Sequence, residues 1–258
     1  MGYRIGTSGF SYQDWVGHFY PEGTKKNDFL THYSRYFDSL EVNYTYYRMP
    51  AQRTMQGLVD GSGGTVRFAV KLTGLFTHER TAGPDEARLF TSALEPMSDS
   101  GTLGCLLAQF PYAFKPTPEN YNHLDTLAGW FQDSPLVVEV RNRGWLAPRF
   151  FDFLKQRQIG FCCVDEPQIR GLLPDLKTVT SPIGYVRFHG RNADKWYNHE
   201  RAEERYDYLY SHRELASWVP GIKSMSADCE ELYLFFNNHF EGKAVANAME
   251  LREMLTGY

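Results

Sequence analysis

Residues 136–145 read Leu-Val-Val-Glu-Val-Arg-Asn-Arg-Gly-Trp. The run opens like a strand buried on both faces, yet it carries Glu139 and Arg141 two positions apart. Side chains alternate faces along a strand, so the two charges point the same way. A lone buried charge is prohibitive, so the pair must meet counter-charges, a ligand or water. The same pattern, an apolar run closed by polar residues at i and i+2, recurs with Glu41 and Asn43 in 39–47 and with Arg187 and His189 in 184–190. Single polar residues close further apolar runs at Lys71, Gln109, Asp165 and Asn237.

Around these runs the chain alternates. Strands are expected at 3–10, 40–47, 66–72, 103–110, 136–145, 160–165, 184–190 and 231–237. Helices are expected after an Asn27 cap with the stripe Phe29, Leu30, Tyr33 and Phe37, then at 51–59, 85–97, 119–131, 148–157, 206–219 and 244–255. Eight alternations in 258 residues predict a single TIM-type (β/α)8 barrel spanning 1–258. An open doubly wound sheet would favour G-x-G-x-x-G after its first strand, and Gly6-Thr7-Ser8-Gly9 does not fit it. The cluster Gly61-Ser62-Gly63-Gly64 precedes a strand instead of opening a helix, so it reads as a linker and not a phosphate loop.

Composition narrows the function classes. A formal charge of -4 argues against a broad nucleic-acid-binding surface, though not against a local basic cleft. Cys105, Cys162, Cys163 and Cys229 lack C-x-x-C spacing and lie in or beside apolar runs, the usage of buried thiols in a reducing compartment. No apolar stretch approaches the roughly 18 residues of a membrane helix. A strand-like run from Tyr3 leaves no room for a signal peptide, and position 6 is glycine where N-myristoylation prefers serine or threonine. A soluble, cytoplasmic protein is expected. Its oligomeric state is left open.

Several blocks resemble a known family. They are Ile5-Gly6-Thr7-Ser8-Gly9-Phe10-Ser11-Tyr12 with Trp15 and Phe19-Tyr20-Pro21, Glu41-Val42-Asn43 with Tyr46-Tyr47 and Pro50, and Gln109-Phe110-Pro111. Glu139-Val140-Arg141 with Trp145, Arg187-Phe188-His189-Gly190, and Phe236-Asn237-Asn238 with Ala244 and Asn247 follow in order. Together they resemble the YecE-like family, domain of unknown function 72. Phe10 stands where that family often has tryptophan, and Tyr44 and Tyr46 where it has small residues and phenylalanine. The resemblance implies a TIM-type barrel and no particular reaction.

In such barrels function sits at the C-terminal ends of the strands. One mouth is therefore expected to gather Glu41, Asn43, Lys71, Gln109, Glu139, Arg141, Asp165, Arg187, His189 and Asn237. Arg141, Arg187 and Lys71 would cradle an anion, a phosphate or carboxylate. Glu139, Glu41 or Asp165 would act as general base, and His189 would shuttle protons near neutral pH. Trp145, with Trp15 and Trp196, would offer a stacking face. The charged segment 191–205 reads as solvated surface or, following strand seven, as a ligand lid. The expected function is an enzyme acting on a small anionic substrate by acid–base chemistry, with no cofactor or metal predicted. The alternatives are a metal-dependent hydrolase or isomerase, and a non-catalytic module for a nucleotide or nucleic acid.

Overall fold

The structure, a computed structural model, describes residues 2–257, with residues 202 and 203 described by their backbone alone. The strands are β1 (Gly2–Ser8), β2 (Ser39–Val42), β3 (Arg67–Lys71), β4 (Leu103–Gln109), β5 (Leu136–Glu139), β6 (Gly160–Asp165), β7 (Ile183–Phe188) and β8 (Glu231–Phe236). Each pairs in parallel with the next, and β1 pairs with β8 from Gly2↔Glu231 to Thr7↔Phe236, closing the ring. Around it run α1 (Phe29–Tyr33), α2 (Gln52–Gly61), α3 (Gly74–Thr77), α4 (Pro84–Ala93), α5 (Glu95–Asp99), α6 (Pro118–Trp130), α7 (Pro148–Gln156), α8 (His212–Ala227) and α9 (Lys243–Thr256). This is an α/β domain of the TIM-barrel type, as the alternation predicts.

Parallel strands in a barrel are covered on both faces, which explains their continuous apolar runs. The outward residues pack beneath the helices, where Phe150 and Leu154 of α7 and Trp218 and Ile222 of α8 are fully buried. The inward residues fill the lumen. Tyr185 and Tyr233 lie ring to ring at 6.1 Å, with Phe235 5.3 Å from Tyr185. Tyr233 fits because Gly104 stands opposite: a Cβ there would lie 2.3 Å from the tyrosine hydroxyl. Above this plug the lumen turns charged.

Three helices depart from the pattern. The expected helix 85–97 is two, α4 and α5, because Pro96 has no N–H for the i−4 carbonyl and its ring crowds that turn. The expected helix 206–219 begins later, at His212, where Ser211 and Glu214 form a reciprocal capping box, and it continues past Pro220 to Ala227. The helix expected after Asn27 is short, with a 3-10 turn at Lys26–Asp28 and no side-chain cap. Strand β5 stops at Glu139, so Arg141 sits just beyond the strand instead of within it. No helix among the described residues is long and apolar enough to cross a membrane.

Candidate functional site at the mouth of the barrel

A cavity of about 430 Å³ opens at the C-terminal ends of the strands. Glu41, Asn43, Lys71, Gln109, Arg141, Arg187 and Asn237 line it, all expected there. Tyr12, Tyr44, Tyr46 and Tyr206 supply an aromatic wall, with His239 stacked on Tyr12 at 4.5 Å. Glu41, Lys71, Gln109 and Arg187 reach the rim because alternation carries the lumen-facing series of their strands up to it.

Beneath the cavity lies a network of ion pairs. Arg187 donates from Nη1 to Glu139 Oε2 and from Nη2 to Glu41 Oε1, both at 2.7 Å. The Tyr185 hydroxyl donates to the other oxygen of Glu41 at 2.6 Å. Arg141 reaches Glu139 Oε1 from Nε at 2.8 Å and donates from Nη1 to Glu166 Oε2 at 2.8 Å. Leu173 N–H donates to the remaining oxygen of Glu166 at 3.1 Å. Glu41, Glu139 and Arg187 are almost wholly buried. Burial by itself would push Glu139 up, but Arg141, Arg187 and His189 outweigh it and hold its carboxyl well below the usual range. Burial raises Glu166, opposed by Arg141 and the Leu173 amide.

Lys71 is placed differently. Its Nζ donates to Gln109 Oε1 at 2.8 Å and lies 4.6 Å from the centre of the Tyr46 ring. Among the described residues no carboxylate comes within 4.0 Å of it. Burial, then Arg187, lower its pKa to about 7, with Glu139 and Glu41 pulling upward and Arg141 downward. Lys71 is thus an ionisable side chain of this mouth brought to the edge of neutrality.

Four expected residues do not line the open mouth. Glu139, fully buried, lies beneath it at the centre of the ion-pair network. Asp165 lies on the outward face of β6, in step with Cys163, whose thiol meets Thr178. Its carboxylate accepts from Arg191 Nε at 2.7 Å, the Tyr210 hydroxyl at 2.8 Å and the Trp218 indole at 2.6 Å, tying the barrel to α8. Trp145 is fully buried between barrel and helices; it stacks on Phe114 at 5.2 Å and donates to the Phe114 carbonyl at 2.7 Å. It presents no face to the cavity. His189 is fully buried behind the rim. Its Nε2 is 3.3 Å from Glu139 Oε1 and 3.2 Å from Arg141 Nη2, and its Nδ1 is 3.1 Å from Asn237 Nδ2. Burial, then Arg141, drive its pKa to about 3, so at neutral pH the ring is uncharged and is not a half-protonated shuttle.

Glu166, Tyr185 and the tyrosine wall escaped sequence reading. Glu166 had one signal, its place directly after an outward Asp165, which turns it inward. Tyr185 looked like a core aromatic. The segment 191–205 is not simply solvated: Arg191 is anchored to Asp165, and buried Trp196 lies over Arg141 at 5.9 Å. Among the described residues no three His, Cys, Asp or Glu side chains come together as a metal-ligand set.

Closed parallel barrel, tyrosine-rich cavity and buried Glu–Arg lattice at the strand ends together define a TIM-barrel protein with a polar mouth. The chain matches the family described as "Protein of unknown function DUF72" over residues 4–258, and it belongs to that family. It is 30% identical to the UPF0759 protein YunF of Bacillus subtilis, over 97% of this chain and 94% of YunF. The DUF72 family protein TM1631 of Thermotoga maritima has a similar structure, with a TM-score of 0.91 and 36% identity over 98% of this chain and 99% of that one. The DUF72 family protein EF0366 of Enterococcus faecalis superposes with a TM-score of 0.88 at 28% identity, over 99% of this chain and 96% of that one. A xylose isomerase domain containing protein of Salmonella typhimurium, 11% identical with a TM-score of 0.51, shares the fold.

Proposed function

We propose that the protein is an enzyme that takes a small carboxylate- or phosphate-bearing substrate into the mouth of the barrel and transforms it by acid–base chemistry, with Lys71 as the proton-transfer group. One observation carries this reading. Of the three lysine and arginine side chains that line the cavity, Lys71 alone has no carboxylate within ion-pair distance among the described residues. A group poised near pH 7 is suited to give and take a proton under ordinary conditions. The roles first assigned to the charged residues therefore change places. Glu41 and Glu139 serve as fixed counter-ions that hold Arg141 and Arg187 in register, and His189 with Asn237 orients that lattice. The N–H groups that remain on the two guanidiniums, with Asn43 and Gln109, position the substrate's oxygens.

A thermal-shift panel of carboxylates, phosphorylated metabolites and oligonucleotides tests this, run on the native protein and on Lys71→Ala. A ligand at about a hundred times its Kd adds about 2.7 kcal/mol, a rise of about 5–11 °C for a chain of this size. Stabilisation by a small anion that Lys71→Ala loses, followed by turnover of that compound, is the expected result. Stabilisation that Lys71→Ala leaves intact would remove Lys71 from the site. Salt-sensitive retention of an oligonucleotide without turnover would make the protein a binding module instead.

A further inference from the structure

The chemistry of Lys71 can be taken one step further from the count of its neighbours. An ammonium group carries three N–H donors. Here Nζ has one oxygen acceptor, Gln109 Oε1 at 2.8 Å, and beyond it the face of Tyr46. A neutral amine, or a nitrogen carrying a single N–H, is better matched to that one acceptor than an ammonium is. The cavity beside it is large enough for a small metabolite. Asn43, which lines the same cavity, holds a side-chain oxygen with no hydrogen-bond partner. Resting on the reading of Lys71 as the group that meets substrate, we infer that Lys71 is a nucleophile that captures the carbonyl carbon of a small aldehyde, ketone or 2-oxo acid as a covalent imine.

The lone pair of Nζ forms the new C–N bond while the carbonyl π electrons move onto oxygen. One proton leaves nitrogen and one reaches that oxygen, through solvent in the open cavity, giving the carbinolamine. The C–O bond then breaks as the oxygen takes a second proton and departs as water, and the nitrogen lone pair closes the C=N bond of an iminium. That cation keeps one N–H, which Gln109 Oε1 can accept. Its charge falls beside a lattice in which Glu41, Glu139 and Glu166 number one more than the guanidiniums of Arg141 and Arg187. Glu139 and Glu41 favour that cation as they favour the ammonium, burial and Arg187 oppose both, and the iminium differs in needing one acceptor instead of three. A protonated imine also draws electrons from the adjacent carbon, which makes a carbon–hydrogen or carbon–carbon bond there easier to break. The lowered pKa of Lys71 supplies the free amine near neutral pH.

Glyoxylate, an aldehyde bearing a carboxylate, is the probe, used with cyanoborohydride at pH 7 and read by peptide mass spectrometry. An exposed lysine with a pKa of about 10.4 keeps about one amine in 2,500 at this pH. Lower nucleophilicity and restricted access offset much of the advantage of Lys71. Labelling at Lys71 is expected to run at least about tenfold faster than at the exposed Lys26, Lys115 and Lys155. Lys71→Arg should lose the adduct while those three lysines label as before, with thermal unfolding checking that the variant is folded. Labelling of Lys71 no faster than theirs overturns the imine. If the ligand stabilisation sought above is nevertheless found, the acid–base reading survives alone. Fast labelling without any stabilising anion keeps the imine and overturns the anionic substrate.

Discussion

Replacing Glu139 by glutamine is the sharpest test of the charged lattice. The substitution keeps shape and removes one charge from the point where Arg187 Nη1, Arg141 Nε and His189 Nε2 converge. Glu139 and His189 are fully buried and Arg187 nearly so, so water cannot replace the lost carboxylate. Breaking a buried pair by removing one partner costs about 3–5 kcal/mol. At about 2–4 °C per kcal/mol for a domain of this size, the melting temperature should fall by about 6–20 °C. The pH dependence has a definite sign. The folded pKa of Glu139 is depressed below its unfolded value of about 4.3. Its contribution is therefore complete above that value and disappears as pH falls through the folded pKa. Melting curves of native and variant protein, followed by circular dichroism from pH 7 down to pH 3, should differ most at neutrality and draw closer as the pH falls below about 4.3. Because Glu139 helps to raise Lys71, the variant should also shift the Lys71 labelling midpoint to lower pH. A variant melting within about 2 °C of the native protein at pH 7 would refute a dry, coupled lattice.

Two further outcomes follow from the same geometry. The lowered pKa of Lys71 means that the unfolded chain binds its proton more tightly, a penalty complete below about pH 7 that fades as pH rises toward the unfolded value of about 10.4. Lys71→Met should thus raise the melting temperature at pH 6 relative to native protein and lose that advantage by pH 10; a gain that is independent of pH would contradict it. Asp165→Asn and Trp145→Ala should behave as structural lesions, costing about 1–3 kcal/mol and about 3–5 kcal/mol in chemical denaturation. In both variants glyoxylate labelling of the remaining folded protein at Lys71 should proceed at the native rate, and a large drop would return either residue to the site.

Periodicity in the sequence was enough for the barrel, because buried parallel strands leave uninterrupted apolar runs and each helix leaves its stripe. It also placed Glu41, Asn43, Lys71, Gln109, Arg141, Arg187 and Asn237 around one mouth, since a polar side chain closing an apolar strand has few other places to go. The helix boundaries were less legible. The helix expected at 206–219 instead begins after the Ser211–Glu214 capping box and runs through Pro220 to Ala227.

What one dimension could not carry was direction and partnership. A terminal polar residue turns inward or outward according to its parity with the strand's register, and Asp165 differs from Glu166 by that single step. A cation free to meet a ligand and a cation held by carboxylates look alike in a sequence; only closure of the ring, bringing Glu41, Glu139 and Arg187 together, separates Arg187 from Lys71. Chain composition settles which groups are present. Burial and distance, which exist only once β8 has paired with β1, settle which cations are held by carboxylates and which are not.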